Sequence, residues 1–283
     1  MATPSPIPPA LLTSFHSYLL TPNLRILVVI GAGLSAASGL ATFRGAGGHW
    51  RNFDAMTIAT PEAFNADPGF VWQFYQMRRR AAFAAKPNPA HYALAEAAKR
   101  CRDFLAASQN VDGLSRRAGH PEDKIEYIHG NLSTLSCFQG MDYGGFVESC
   151  GWKAEDQTQD LPIPDEGVVP REMIPKCPNC KTGLQRPGVV WFGESLDEKV
   201  MDRIQDWLEV QGPSLCLVVG TSGRVYPAAA YAKAVKKRGG KVAVVDIEDR
   251  GAEEGADWSF VGDAAVVVPE ILKPLMERPE VVA

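Results

Sequence analysis

Ile30-Gly31-Ala32-Gly33-Leu34-Ser35-Ala36-Ala37-Ser38-Gly39, directly after the apolar run Arg25 to Ile30, is the stretch on which the reading of this chain turns. A β-branched run of that length reads as a buried parallel strand, and the glycines after it let the backbone approach a pyrophosphate at a helix start. Gly31-x-Gly33-x-x-Ala36 is a loose form of the dinucleotide fingerprint, and glycine turns made for packing look the same. Asp54 has about the usual separation for a ribose-binding carboxylate but lies in no strand-like run. The loop continues instead through Thr42-Phe43-Arg44-Gly45-Ala46-Gly47-Gly48, as a segment that folds over a ligand would.

Further strands are predicted at Asp103–Ala107, Ile125–Ile128, Val189–Phe192, Leu215–Val219, Lys241–Val245 and Ala264–Val268. Helical spacing is predicted over 10–20, 61–83 with a break at Asp67-Pro68-Gly69, 90–99, 197–208 and 227–237. Five strands end in polar or glycine clusters: Gly31-Ala32-Gly33, Gln109-Asn110, His129-Gly130, Gly220-Thr221-Ser222 and Asp246-Ile247-Glu248. Ligands of open parallel α/β sheets bind outside the carboxyl ends of the strands, so these clusters are expected to converge on one crevice. The expected fold is α/β, a doubly wound, Rossmann-like parallel sheet assembled from residues 21–53, 86–132 and 184–283. A helical module at 54–85 and an irregular zinc-binding module at 133–183 are expected to form a smaller domain.

The 283 residues, 46% hydrophobic and 22% charged, suffice for a large core, and a net charge of −4 argues against general nucleic-acid binding. No apolar run reaches the roughly 18 residues of a membrane span. Met1 to Pro9 lacks a basic n-region and transit-type arginines, which favours a cytosolic or nuclear location and leaves a mitochondrial one open. Six cysteines without export signals point to metal rather than disulfides, with Cys101 and Cys216 as small buried hydrophobes. A monomer is the working expectation.

Gly-Ala-Gly-x-Ser followed by Thr-Phe-Arg-Gly resembles the signature of the sirtuins, the NAD-consuming protein-lysine deacylases, and the resemblance runs from about Leu24 to Leu272. It implies that Gly31, Ala32, Gly33, Ser35, Phe43, Arg44, Gln109, Asn110, Asp112, Gly220, Thr221, Ser222, Asp246, Glu248 and Ala264 serve NAD. Asn110 and Asp112 would help bind nicotinamide, and His129 would be the general base, its ordinary pKa near 6.5 suiting proton transfer at neutral pH. Read as residues alone, Asn110 and Asp112 make a turn and His129 is a satisfied strand-end histidine. By the resemblance, the acyl oxygen of a modified lysine displaces nicotinamide, an alkylimidate forms, and the products are free lysine, nicotinamide and O-acyl-ADP-ribose. The loop Ala41 to Gly48 would exclude water. Val190-Trp191-Phe192-Gly193-Glu194 matches the segment that pairs as a strand with the substrate peptide.

Cys177-Pro178-Asn179-Cys180 is half of a zinc knuckle, and Cys137 stands where the family places its first ligand. Gly140 occupies the expected second position, and Cys150 is the nearest replacement. The alternative is a degraded site with Cys150 a loop thiol. Tyr75 and Arg78, three apart on a helix, resemble the acyl-pocket pair of the desuccinylase and demalonylase class, where a guanidinium meets the carboxylate of a succinyl, malonyl or glutaryl group. Composition alone would instead make Arg78, Arg79 and Arg80 a solvated helix face. A deacetylase of ordinary preference, a protein ADP-ribosyltransferase and a non-catalytic nucleotide sensor are the competing functional readings.

Overall fold

Arg25–Ile30 is buried at all six positions, because helices cover both faces of the sheet it belongs to. The computed structural model describes residues 7–42, 49–51, 53–142, 145–147, 149–155, 162–212, 214–221, 223, 225–251 and 255–280. Its main sheet has six parallel strands in the spatial order Trp258–Val261, Lys241–Asp246, Ser214–Val219, Arg25–Ile30, Phe104–Ser108 and Ile125–Tyr127. Numbered along the chain this is 6-5-4-1-2-3, the doubly wound order, and its direction reverses between the first and fourth strands. Ile30 is in register with Val219 on one side and Ser108 on the other, which puts the crevice outside these three residues.

One face of the sheet presents Ile26, Val28, Ile30, Leu217 and Val219 to a core shared with helices Pro9–Leu19, Pro89–Arg100 and Ala264–Ile271. The other presents Leu27, Val29, Cys216 and Val218 to helices Glu198–Glu209 and Ala228–Lys237. Cys101 and Cys216 are both buried, as expected.

Two strand predictions are corrected. Ala264–Val268 is the first part of a helix, Ala264–Ile271, and the last strand is Trp258–Val261. The run is β-branched, but its buried positions, 264, 267, 268 and 271, follow the helical period, and the Asp263 carboxylate caps the helix by accepting from Ala265 N at 2.8 Å. Val189–Phe192 is likewise not a strand; the strand is Leu184–Val189, and 190–192 turn away after it. Leu184–Val189 pairs antiparallel with Gly130–Phe138, which pairs in turn with Lys153–Glu155. This second sheet carries its own core with Phe64, Trp72, Phe74, Tyr75, Phe138 and Trp191, contributed largely by helices Pro61–Ala66 and Pro68–Ala84.

The first and fourth strands are joined at their ends by glycine. Gly33 N–H donates to Gly220 O at 2.8 Å. A Cβ on Gly31 would lie 2.5 Å from that same oxygen. Gly220 has φ +58°, and a Cβ there would lie 2.5 Å from Leu34 N. Gly220→Ala is therefore expected to destabilise the fold by at least about 1–2 kcal/mol from left-handed strain alone, with the backbone clash added. Equilibrium denaturation checks this, and wild-type stability would mean that the two loops do not touch.

Candidate active site

At the reversal point lies a cavity of about 860 Å³, of the size that takes a small-molecule ligand. Gly31, Ala32, Gly33, Ser35, Gln109, Asn110, Asp112, His129, Gly220, Thr221, Asp246, Glu248 and Ala264 all line it. Tyr75, Arg78 and the segment Val190 to Glu194 line the same cavity from the smaller sheet's side. Five strand ends far apart in sequence thus face one space. Phe43, Arg44, Ser222 and Ala46-Gly47-Gly48 lie outside the described residues.

The floor is a polar network. Asn110 Nδ2 donates to Gly31 O at 3.0 Å and to Ser35 Oγ at 3.2 Å, and Ser35 Oγ donates to Asp112 Oδ2 at 2.7 Å. Asp112 Oδ1 accepts from Leu114 N at 2.8 Å, so the carboxylate is held on both oxygens. Gln109 Nε2 donates to Thr221 Oγ1 at 3.1 Å, tying the second strand's end to the fourth's.

His129 Nδ1 lies 3.1 Å from Gln109 O. A carbonyl can only accept, so Nδ1 carries the proton and Nε2 is the acceptor, the tautomer a general base needs. Burial holds the ring's pKa below its ordinary value, opposed by the Gln109 bond, and the ring is neutral at pH 7.

The three consecutive arginines do not form one solvated face. Arg79 is buried and donates to Leu132 O, Arg80 pairs with Asp165 at 2.6 Å, and Arg78 faces the cavity with its Cζ 5.5 Å from the Phe74 ring centre. Burial lowers the Arg78 pKa, with Tyr75 and Asp112 acting against it, so the guanidinium lies within electrostatic reach of the Asp112 end of the cavity. Tyr75 is buried and its phenol is pushed up to about 12, chiefly by desolvation, which keeps its proton in place as a donor.

The Val190–Glu194 segment is tied down by bonds of its own backbone. Val190 N–H donates to His129 O at 2.9 Å, Phe192 N–H to Ala59 O at 3.0 Å, and Trp191 N–H to Glu194 Oε2 at 2.7 Å. Glu194 is also forked onto Arg186, which stacks on Trp191 with its Cζ 3.4 Å from the ring centre. The Glu194 carboxylate is thereby engaged in fixing the Trp191 wall. Arg186 had no flag in the sequence, since its partners lie in a turn that read as a strand.

The sulfurs of Cys137, Cys150, Cys177 and Cys180 all lie within 4.8 Å of one another. Cys137 and Cys180 are 3.7 Å apart, and Cys150 and Cys177 3.6 Å. Four thiolates at about 2.3 Å from a tetrahedral zinc are about 3.8 Å from each other, so the cluster fits structural zinc with Cys150 in the place left by Gly140. Cys150→Ala is expected to lose most of its zinc to a chelator that leaves the parent loaded, and to melt earlier, because structural zinc contributes directly to folding. Full zinc retention would remove Cys150 from the set.

Three comparisons agree with this geometry. The Sir2 family profile matches residues 31–227. An NAD-dependent protein deacylase of Candida albicans is 42% identical over 94% of this chain and 98% of its own length. A dog protein named NAD-dependent protein deacylase sirtuin-5, mitochondrial, is 39% identical over 88% of this chain and 81% of its own length. A solved Sir2 homolog–NAD complex superposes with a TM-score of 0.76 at 33% identity, covering 97% of this chain and 96% of the other.

Proposed function

The chain is a member of the Sir2 family and an NAD-dependent protein deacylase, and from that premise we propose that the acyl groups it removes from lysine are acidic: succinyl, malonyl or glutaryl. The observation that carries the preference is Arg78, a guanidinium set beside buried Tyr75 in the wall of the cavity that also holds His129 and Asp112. A half-buried guanidinium at the cavity wall favours a ligand that brings a carboxylate, and the phenol adds a neutral donor to the same oxygen pair. An acetyl group offers neither contact.

The remaining roles belong to the same proposal. Gly31, Ala32, Gly33, Ser35, Gln109, Gly220 and Thr221 hold the phosphates and inner ribose of NAD, with Asp246, Glu248 and Ala264 at the adenosine end and Asn110 and Asp112 at nicotinamide. When bound, NAD supplies the ribose carbon that becomes electrophilic as nicotinamide leaves. His129 Nε2 accepts a proton from a ribose hydroxyl, and the Gln109 carbonyl keeps the ring turned for it. The Val190–Glu194 turn, braced by Arg186, walls the lysine channel and keeps water from the reacting carbon. Phe43 and Arg44 are proposed contacts to nicotinamide and phosphate, and Ser222 to the phosphates. The division into a sheet domain and a small domain of 54–85 with 133–183 also belongs here, supported by a second core that draws on both segments. Among the described residues no helix is long and apolar enough to cross a membrane.

Mass spectrometry of a reaction containing NAD and a mixed panel of acyl-lysine peptides tests the reading. Succinyl-, malonyl- or glutaryl-lysine should be consumed first, with O-acyl-ADP-ribose as co-product. Preferential loss of acetyl would point to an ordinary deacetylase, and ADP-ribose attached to protein to a transferase.

A further inference from the structure

The helix that carries Tyr75 and Arg78, Pro68–Ala84, ends in Ala81-Ala82-Phe83-Ala84, a last turn with no basic residue. The chain beyond it runs through Pro87 and Pro89, which have no N–H to offer the final carbonyls. A donor reaches them from elsewhere in the fold. Arg117 Nη1 donates to Ala85 O at 2.9 Å and to Phe83 O at 3.2 Å, and its Nη2 donates to Ala82 O. A cation placed there also meets the negative end of the helix dipole. The same Nη2 reaches back to Asp112 O at 3.4 Å.

Arg117 closes the short helix Leu114–Arg117, whose start is pinned to Asp112 by the bond from Leu114 N to Asp112 Oδ1 at 2.8 Å. One guanidinium thus bonds both the end of the acyl-facing helix and the backbone of the loop that carries Asp112. Tyr75, Arg78 and Ala82 fall on one helix face, and all three line the cavity. Ala82 lies one turn beyond Arg78, so a slip of the clamped end moves Arg78 relative to Asp112. We infer that Arg117 is a positioning residue for acyl selection: it locks the end of helix Pro68–Ala84 to the Asp112 loop and so sets how far the Arg78 guanidinium stands from the lysine being deacylated, a role that rests on the proposed acidic-acyl preference. The Asp112 carboxylate keeps its bonds to Ser35 and Leu114 without Arg117, so the nicotinamide end survives its loss.

Kinetics on succinyl- and acetyl-lysine peptides of one sequence, at saturating NAD, separate positioning from plain helix capping. Arg117→Met is expected to raise KM for the succinyl peptide about tenfold, the worth of a hydrogen bond to a charged group. The loss falls on KM because the carboxylate contact is made in the ground state and the transition state alike. kcat, KM for the acetyl peptide and the affinity for NAD should stay near the parent's. Arg117→Lys keeps a cation within reach of the same carbonyls and should lie between the two. An unchanged succinyl-to-acetyl ratio in Arg117→Met, or an equal loss on both peptides, would overturn the inference and leave Arg117 as a surface cap. Arg78→Met in the same assay keeps the questions apart: a preference that collapses there and persists in Arg117→Met refutes the positioning role alone, whereas a parent with no preference refutes the acyl reading and this role with it.

Discussion

Replacing His129 with alanine is expected to lower deacylation kcat/KM by about 10²- to 10⁴-fold, the usual contribution of a positioned general base, while NAD binding persists. The ring is a side wall of the cavity and its side-chain bond among the described residues is to Gln109 O, so its loss leaves the glycine loops and the Asn110–Ser35–Asp112 network in place. The pH profile carries the same signature. In the proposed role neutral His129 is the active form, and burial lowers its pKa below 6.5; kcat/KM should therefore be flat near pH 7 and fall only as the pH drops below the ordinary histidine range. His129→Ala should lack that limb. A rate within a few fold of the parent, or an unaltered limb, would assign the proton transfer elsewhere.

Arg78→Met should separate the substrates. A charge-assisted hydrogen bond contributes about 1.5–3 kcal/mol, which is roughly 10- to 100-fold in preference. Desuccinylation should fall by that factor while deacetylation changes little, because methionine fills most of the aliphatic volume and removes the cation. Tyr75→Phe should act in the same direction with a smaller effect, since it deletes one neutral donor from the same wall. Equal losses on both substrates would show that Arg78 supports the helix Pro68–Ala84 or the Asp112 end of the cavity rather than reading the acyl tail.

Much of this site was legible because its signals are local. Five of the six parallel strands announce themselves by a short apolar run and end in residues that line the cavity, so Gly33, Asn110, His129, Gly220 and Asp246 could be grouped by their place in the topology. The glycines turned out to serve a contact between loops as well as access to a ligand: Gly31 and Gly33 press on Gly220, 187 residues beyond Gly33. Local signals also mislead. Ala264–Val268 is rich in valine, yet a carboxylate cap and a 3.6-residue period make it a helix. What could not be read was partnership across the chain. His91 is the third residue of the helix Pro89–Arg100, and nothing near it in sequence names Ser35, 56 positions earlier. The Arg186 fork onto Glu194 was hidden in the same way. Cys150 was suggested only by elimination, and the fold brings its sulfur to 3.6 Å from that of Cys177.

We propose one cavity that joins nicotinamide chemistry to a reader of acidic acyl tails. Its most direct test is kcat/KM for two lysine peptides of identical sequence, one succinylated and one acetylated, at saturating NAD. A ratio of at least about tenfold in favour of succinyl-lysine, collapsing toward unity in Arg78→Met, is the predicted result. A parent enzyme that deacetylates as well as it desuccinylates would contradict it.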